Sequence, residues 1–232
     1  MRICVTSDFH GELPDAHDVA DLTLICGDIV PLRMQRNIPQ SRKWLETEFM
    51  YWVKNWPSER ICYVAGNHDF VFERMMPNDF AQLQLLSDHK LMYLNGRVPL
   101  FYTSDEGKLY KIFGTPYCHE FGNWAFMYSD EELEKLYEPI PKDCDILISH
   151  DAAHINNLGL VPPNQWHPYD SVDAGNKVLE KFVRERKPKY YFCGHIHEGN
   201  HQITEIDGTT MANVSLLNDY YQMSYEPIYL DI

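Results

Sequence analysis

Ile61-Cys62-Tyr63-Val64-Ala65-Gly66-Asn67-His68-Asp69 carries the reading of this chain. The apolar run 61–65 has the length and composition of a buried strand, so residues 66–69 fall on the loop at its carboxyl end. A glycine at 66 allows a tight reversal or a close backbone approach. An amide, an imidazole and a carboxylate then follow at successive positions, an expensive combination to build for packing alone. Such a tetrapeptide also serves as an ordinary polar turn. Its weight comes from four other strand ends that carry the same kinds of residue.

Upstream, residues 1–7 read as a strand followed by Asp8-Phe9-His10, where Asp8 and His10, two apart, point the same way in an extended segment. The run Leu22–Cys26 ends in Gly27-Asp28, a pair common in turns. Between them and the central stretch, Trp44, Leu45, Phe49, Trp52, Val53 and Trp56 recur at helical spacing before Pro57, which predicts an amphipathic helix over 41–56. Strand, helix, strand implies a parallel unit whose loops gather at one sheet edge.

Downstream, residues 78–88 read as a helix. Leu91–Leu94, Val98–Tyr102 and Leu109–Phe113, separated by Asn95-Gly96 and Glu106-Gly107, read as hairpin-linked strands of a second sheet packed on the first. The aromatic segment 115–126 suits a loop lining a pocket, and Ser129-Asp130-Glu131-Glu132 is a capping box. Asp145–Ile148 is another buried strand, followed by Ser149-His150-Asp151. The long loop to about Tyr169 has the make-up of a rim or lid. A helix is expected over 173–187. Tyr190–Cys193 runs into Gly194-His195-Ile196-His197, and the tail reads as antiparallel strands turning at Asp207-Gly208.

With 232 residues and 44% hydrophobic content, the chain suffices for one large domain spanning 1–232. No apolar run approaches a membrane span. Met1-Arg2 leads straight into a strand, so a cytoplasmic protein without a signal peptide is expected. Six cysteines lie mainly in apolar strand-like runs without any C-x-x-C pair, as buried reduced thiols do. A formal charge of −14 argues against long nucleic acid as partner, but not against a small phosphate ester held through metal ions.

Asp8, His10, Asp28, Asn67, His68, Asp69, His150, His195 and His197 thus occupy five predicted strand ends, where open α/β sheets place their ligand sites. Five of eleven histidines fall in these positions. The other six have no comparable setting, although His119 and His154 lie on loops that can border the pocket. Carboxylates and imidazoles without thiolate suit manganese, iron or zinc better than calcium.

Taken in order, Asp8-Phe9-His10, Gly27-Asp28, Gly66-Asn67-His68-Asp69, His150 and Gly194-His195-Ile196-His197 resemble the motif series of the calcineurin-like metallophosphoesterase superfamily. Gly114-Thr115-Pro116, Asn123–Phe126 and Gly194–Gly199 are similar to the small metallophosphoesterase-domain phosphodiesterases. Asp151-Ala152-Ala153 departs from the Gly-Pro-Pro of many of those relatives. The resemblance implies an α/β fold, a four-layer α/β/β/α sandwich of two mixed sheets flanked by helices. It implies Asp8, His10 and His197 on one metal, Asn67, His150 and His195 on the other, and Asp28 bridging, with manganese favoured. Two such ions, about 3.5–4 Å apart, activate a shared hydroxide for in-line attack on phosphorus. His68 is then the candidate general acid, with Asp69 expected to orient its ring and raise its pKa. The expected activity is phosphodiesterase action on small or nucleotide-like esters. Phosphomonoesterase or protein phosphatase activity is the alternative, ahead of a nuclease or a non-catalytic scaffold.

Overall fold

The computed structural model describes residues 1–164 and 168–232. Its strands are β1 (Arg2–Thr6), β2 (Ala20–Ile25), β3 (Ser58–Tyr63), β4 (Leu91–Tyr93), β5 (Leu100–Thr103), β6 (Leu109–Thr115), β7 (Cys118–His119), β8 (Met127–Tyr128), β9 (Ile146–Ser149), β10 (Leu160–Val161), β11 (Val172–Asp173), β12 (Tyr190–Cys193), β13 (Thr204–Ile206), β14 (Thr209–Asn213) and β15 (Ile228–Asp231). The helices are α1 (Ile38–Trp44), α2 (Met50–Asn55), α3 (Phe70–Arg74), α4 (Pro77–Leu86), α5 (Asp130–Tyr137) and α6 (Lys177–Arg186). A π turn over Leu45–Phe49 joins α1 to α2 without a break, so the aromatic helix expected over 41–56 begins three residues earlier.

Two mixed sheets form the centre. One has the order β15-β1-β2-β3-β4, the other β13-β14-β12-β9-β6-β5. Neighbours from β1 to β4, and from β14 to β6, run parallel, while the outermost strands β15, β13 and β5 run antiparallel. Alternation along each strand divides its side chains between two cores. Ile3, Val5, Leu22, Leu24, Ile146, Ile148, Phe192 and Ala212 meet between the sheets. Cys4, Ile25, Leu147, Tyr191 and Met211 face outward and belong to a core that includes Trp44, Phe49 and Val53 from the first helices and Leu179, Phe182 and Val183 from α6. Burial on both faces explains why these strands read as unbroken apolar runs. The result is the expected α/β/β/α sandwich.

Three local expectations change. The segments at 91–94, 98–102 and 109–113 are not one meander: β4 pairs in parallel with β3 in the first sheet, and only β5 and β6 form a hairpin, in the second. Asn95-Gly96 carries the chain between sheets, with the Gly96 N–H donating to Gly114 O at 2.8 Å. The helix expected from 173 starts at Lys177. Val172–Asp173 instead pairs with β10, and Asn176 caps the helix by accepting from the Leu179 N–H at 2.9 Å. Residues 115–126 contain β7, which pairs with β8. Part of the suggested 151–170 lid, with His167, lies outside the described residues. Among those residues no helix is long and apolar enough to cross a membrane.

Candidate metal centre

β1, β2, β3, β9 and β12 all deliver their carboxyl-end loops to one edge of the two sheets, and all the predicted site residues lie on those loops. The motif glycines let the loops touch. A Cβ at Gly27 would lie 2.5 Å from His150 Nδ1, one at Gly66 2.2 Å from Asp28 Oδ1, and one at Gly194 2.3 Å from Asp8 Oδ2. Asp8, His10, Asp28 and His195 themselves adopt positive φ, at 57°, 44°, 52° and 69°. Left-handed backbone is costly for such residues and collects at functional sites, where the surroundings enforce it.

Asp28 sits at the middle. Its Oδ1 accepts the His68 backbone N–H at 2.8 Å, while Oδ2 lies 3.6 Å from His10 Nε2 and 3.4 Å from His150 Nε2. On one side His10 Nε2 and His197 Nε2 are 3.4 Å apart, and His197 Nε2 is also 3.4 Å from Asp8 Oδ1. On the other side His150 Nε2 meets Asn67 Oδ1 at 2.8 Å, and the His195 ring lies with its centre 5.0 Å from that of His150. One ligand atom each from Asp8, His10 and His197 fall within 4.8 Å of one another, as do those of Asp8, Asp28 and His150, and of His10, Asp28 and His68. Asp8 is held by Ser215 Oγ at 2.8 Å and by the His195 N–H at 3.1 Å.

Burial and charge set the protonation of these groups in the absence of ions. Burial pushes the Asp8 and Asp28 carboxyls up, but neighbouring histidines outweigh it and hold both below the usual range, His197 and His150 for Asp8, His150 and His68 for Asp28. Burial lowers His10 and His195 to about 4. For His150 and His197 the same burial is overcome, by Asp28 and by Asp8, and they rise to about 10 and about 9.

This donor set fits cations. His150 Nδ1 is 2.8 Å from Cys26 O and His197 Nδ1 is 2.9 Å from Asn218 O, so each Nδ1–H donates outward and the Nε2 lone pair of the neutral ring turns toward the carboxylates. Among the described residues His10 Nδ1 is buried without a hydrogen-bond partner. Lone pairs of imidazole, carboxylate and amide thus converge on one another, an arrangement that only protons or metal ions reconcile.

His68 lies beside this cluster, its Nε2 4.0 Å from Asp28 Oδ2. Asp69 does not orient it. The buried Asp69 carboxylate instead accepts the backbone N–H groups of Ile29 at 3.1 Å, Val30 at 2.9 Å and Gly66 at 2.9 Å, tying the loops after β2 and β3 together. Burial and the charge of Asp28 raise the Asp69 carboxyl to about 7 against those three donors. Nor is His68 raised: burial lowers it. Its Nδ1 faces Gln35 Oε1, and its ring packs against Trp124 at a tilt of 31° with centres 4.4 Å apart.

His119 bonds through Nδ1 to Asp151 at 2.8 Å, one residue beyond His150, and does not join the cluster. His154 pairs with Asp173 and Glu180 away from it. Gln35, Ser215 and Tyr221 escaped the sequence reading, whereas Phe121 and Trp124 lie in the aromatic segment 115–126 that it assigned to the pocket. Tyr221 packs its ring 5.0 Å from His10 and 5.2 Å from His197, and Phe121 lies 5.3 Å from His195. The Asn123–Phe126 stretch marked the Trp124 wall, whereas nothing local distinguishes Gln35 or Tyr221.

An α/β/β/α sandwich with Asp, His and Asn side chains gathered at its carboxyl strand ends is the fold of the metallophosphoesterases. The chain belongs to the calcineurin-like phosphoesterase family, whose model matches residues 1–199, and which binds divalent metal ions. It is 30% identical over 181 residues to a UPF0046 protein of Caenorhabditis elegans, covering 76% of this chain and 63% of that protein, less than two thirds of its length. It is 24% identical over 252 residues to human metallophosphoesterase domain-containing protein 1, covering 99% of this chain and 70% of that one. The Thermus thermophilus protein TT1561 shares the fold, with a TM-score of 0.52 at 16% identity over 91% of this chain and 88% of its own.

Proposed function

We propose that this chain is a phosphodiesterase that hydrolyses small or nucleotide-like phosphate esters with a pair of divalent or trivalent ions, manganese ahead of iron or zinc. The carrying observation is that one oxygen, Asp28 Oδ2, lies within 3.6 Å of ligand nitrogens from both halves of the cluster. In this reading Asp8, His10 and His197 hold one ion, Asn67, His150 and His195 the other, and Asp28 bridges. When bound, such ions supply charge to the phosphoryl oxygens and lower the pKa of an attacking water.

The chain's own residues do the rest. Ser215 and the His195 N–H fix Asp8, while Cys26 O and Asn218 O fix the tautomers of His150 and His197. His68 Nε2 stands over Asp28 and gives its proton to the departing alkoxide. Diester over monoester is supported by the charge of the rim. Among the described residues no lysine or arginine is hydrogen-bonded or ion-paired to a cluster residue, and Arg36 is spent on Asn123 O and the rings of Phe70 and Trp124. A monoester dianion gains more from such cations than a diester monoanion does. The −14 charge disfavours nucleic acid polymers, and six free buried cysteines favour the reducing cytoplasm.

The test is hydrolysis of bis-p-nitrophenyl phosphate and p-nitrophenyl phosphate by chelator-stripped protein after separate return of manganese, iron or zinc. Metal-restored diester cleavage above monoester cleavage is expected. Monoester preference moves the assignment to phosphomonoesterase or protein phosphatase, and no hydrolysis despite two bound ions removes the catalytic reading.

A further inference from the structure

Gln35 follows the short helical turn Leu32–Met34, 33 positions before the histidine it meets. We infer that Gln35 is the positioning residue of His68, holding its imidazole in the Nδ1–H tautomer with Nε2 toward Asp28. The inference rests on the reading of His68 as proton donor.

The geometry is a clamp. Gln35 Oε1 faces the ring edge at Nδ1, and Trp124 covers one ring face. Arg36, the next residue, fastens both parts: its guanidinium donates to Asn123 O at 2.7 Å and lies 5.0 Å from the Trp124 ring centre and 4.3 Å from that of Phe70. The Trp124 loop is clipped in turn to the His68 loop, Ala125 N–H donating to Asn67 O at 3.0 Å. The ring therefore has little room to flip, and Nε2 is left 4.0 Å from Asp28 Oδ2.

An amide suits this post for a chemical reason. A carbonyl oxygen accepts Nδ1–H in both the neutral and the protonated ring, and it cannot take that proton itself. The only exchangeable proton that matters is then on Nε2. When the ester bond to the leaving oxygen breaks, the Nε2–H pair divides so that the proton goes to the alkoxide and the electron pair stays on Nε2. Nδ1–H remains on Gln35 throughout. The carboxylate that the sequence offered for this task, Asp69, is committed to three backbone donors.

The test compares wild type, Gln35→Met, Gln35→Glu and His68→Ala. Imidazole ¹⁵N spectra of the chelator-stripped protein read the tautomer directly. Wild type and Gln35→Glu are expected to show His68 as Nδ1–H, and Gln35→Met a mixture. In the manganese-loaded enzyme, Gln35→Met is expected to lose on the order of tenfold in kcat on diesters with alkyl leaving groups, part of what a general acid contributes, with KM and p-nitrophenyl turnover nearly unchanged. An unchanged tautomer in Gln35→Met, or a loss equal for all leaving groups with an altered KM, overturns the assignment. If His68→Ala shows no leaving-group dependence, the proton-donor reading fails, and the tautomer still decides the role of Gln35.

Discussion

Asp28 Oδ2 and His150 Nε2 lie 3.4 Å apart although the residues are on loops of different sheets, and the contact joins the two halves of the side-chain cluster. His10 Nε2, 3.6 Å away on the other side, makes the carboxylate common property. Asp28→Asn removes the charge that reconciles them. Metal analysis of the purified variant is expected to show at most one tightly held ion per chain, with activity down by at least about 10²-fold, the upper range for losing a metal-site partner. Two ions retained at wild-type affinity would refute the bridge.

His68 stands beside the cluster, and in the proposed reading it is not needed to hold an ion. His68→Ala is expected to keep full metal content and to lose about 10²-fold on diesters with poor leaving groups, the usual share of a general acid. Loss of metal with undiminished activity per bound ion would instead make it a ligand, as its place with His10 and Asp28 within 4.8 Å permits.

Metal loading is expected to release protons. In stripped protein His150 and His197 hold theirs up to about 10 and about 9, because Asp28 and Asp8 outweigh burial. An ion needs both rings neutral, so apparent affinity rises as pH increases from 6 toward 9. Calorimetric titration of manganese at pH 7 in buffers of differing ionisation enthalpy checks this. Equal heats in all buffers would contradict it.

Asp69 acts on the fold of the loops. In Asp69→Ala the buried N–H groups of Ile29, Val30 and Gly66 lose their acceptor, and a stability loss of about 3 kcal/mol is expected from denaturant unfolding, at roughly 1 kcal/mol or more per group. A fully stable variant that merely lost leaving-group discrimination would restore the role of ring orienter.

Gly66→Ala forces a Cβ to within 2.2 Å of Asp28 Oδ1 and 2.5 Å of its backbone N, neither of which can withdraw. A loss of about 1–3 kcal/mol is expected, as for overpacking generally, together with weakened metal binding. Gly208→Ala, at an exposed turn with φ of +84° and open space around its Cβ, is expected to cost about 1 kcal/mol and leave metal content unchanged. Thermal melts with metal analysis on both separate the two effects.

The sequence by itself marked the buried strands, a second sheet packed on the first and the strand ends that carry the candidate site residues, while the four-layer order came from the resemblance of the motif series. Apolar runs such as Ile61–Ala65 and Asp145–Ile148 are local signals, because a strand buried on both faces must be apolar throughout, and the polar residues after each run could only gather at one edge. The capping box at Ser129 and the Asp207-Gly208 turn were equally legible, both being short-range geometry. What only the tertiary structure decided were partnerships between distant segments. Leu91–Tyr93 looked like the first strand of a hairpin, but its partner is β3, since a strand's sheet is chosen by which apolar face accepts it. Asp69 looked like the partner of its neighbour His68, yet adjacent side chains diverge along a turn, and its carboxylate met three backbone donors. Gln35 had nothing in its surroundings to mark it, because an amide gains a role only from the ring that folding brings to its oxygen.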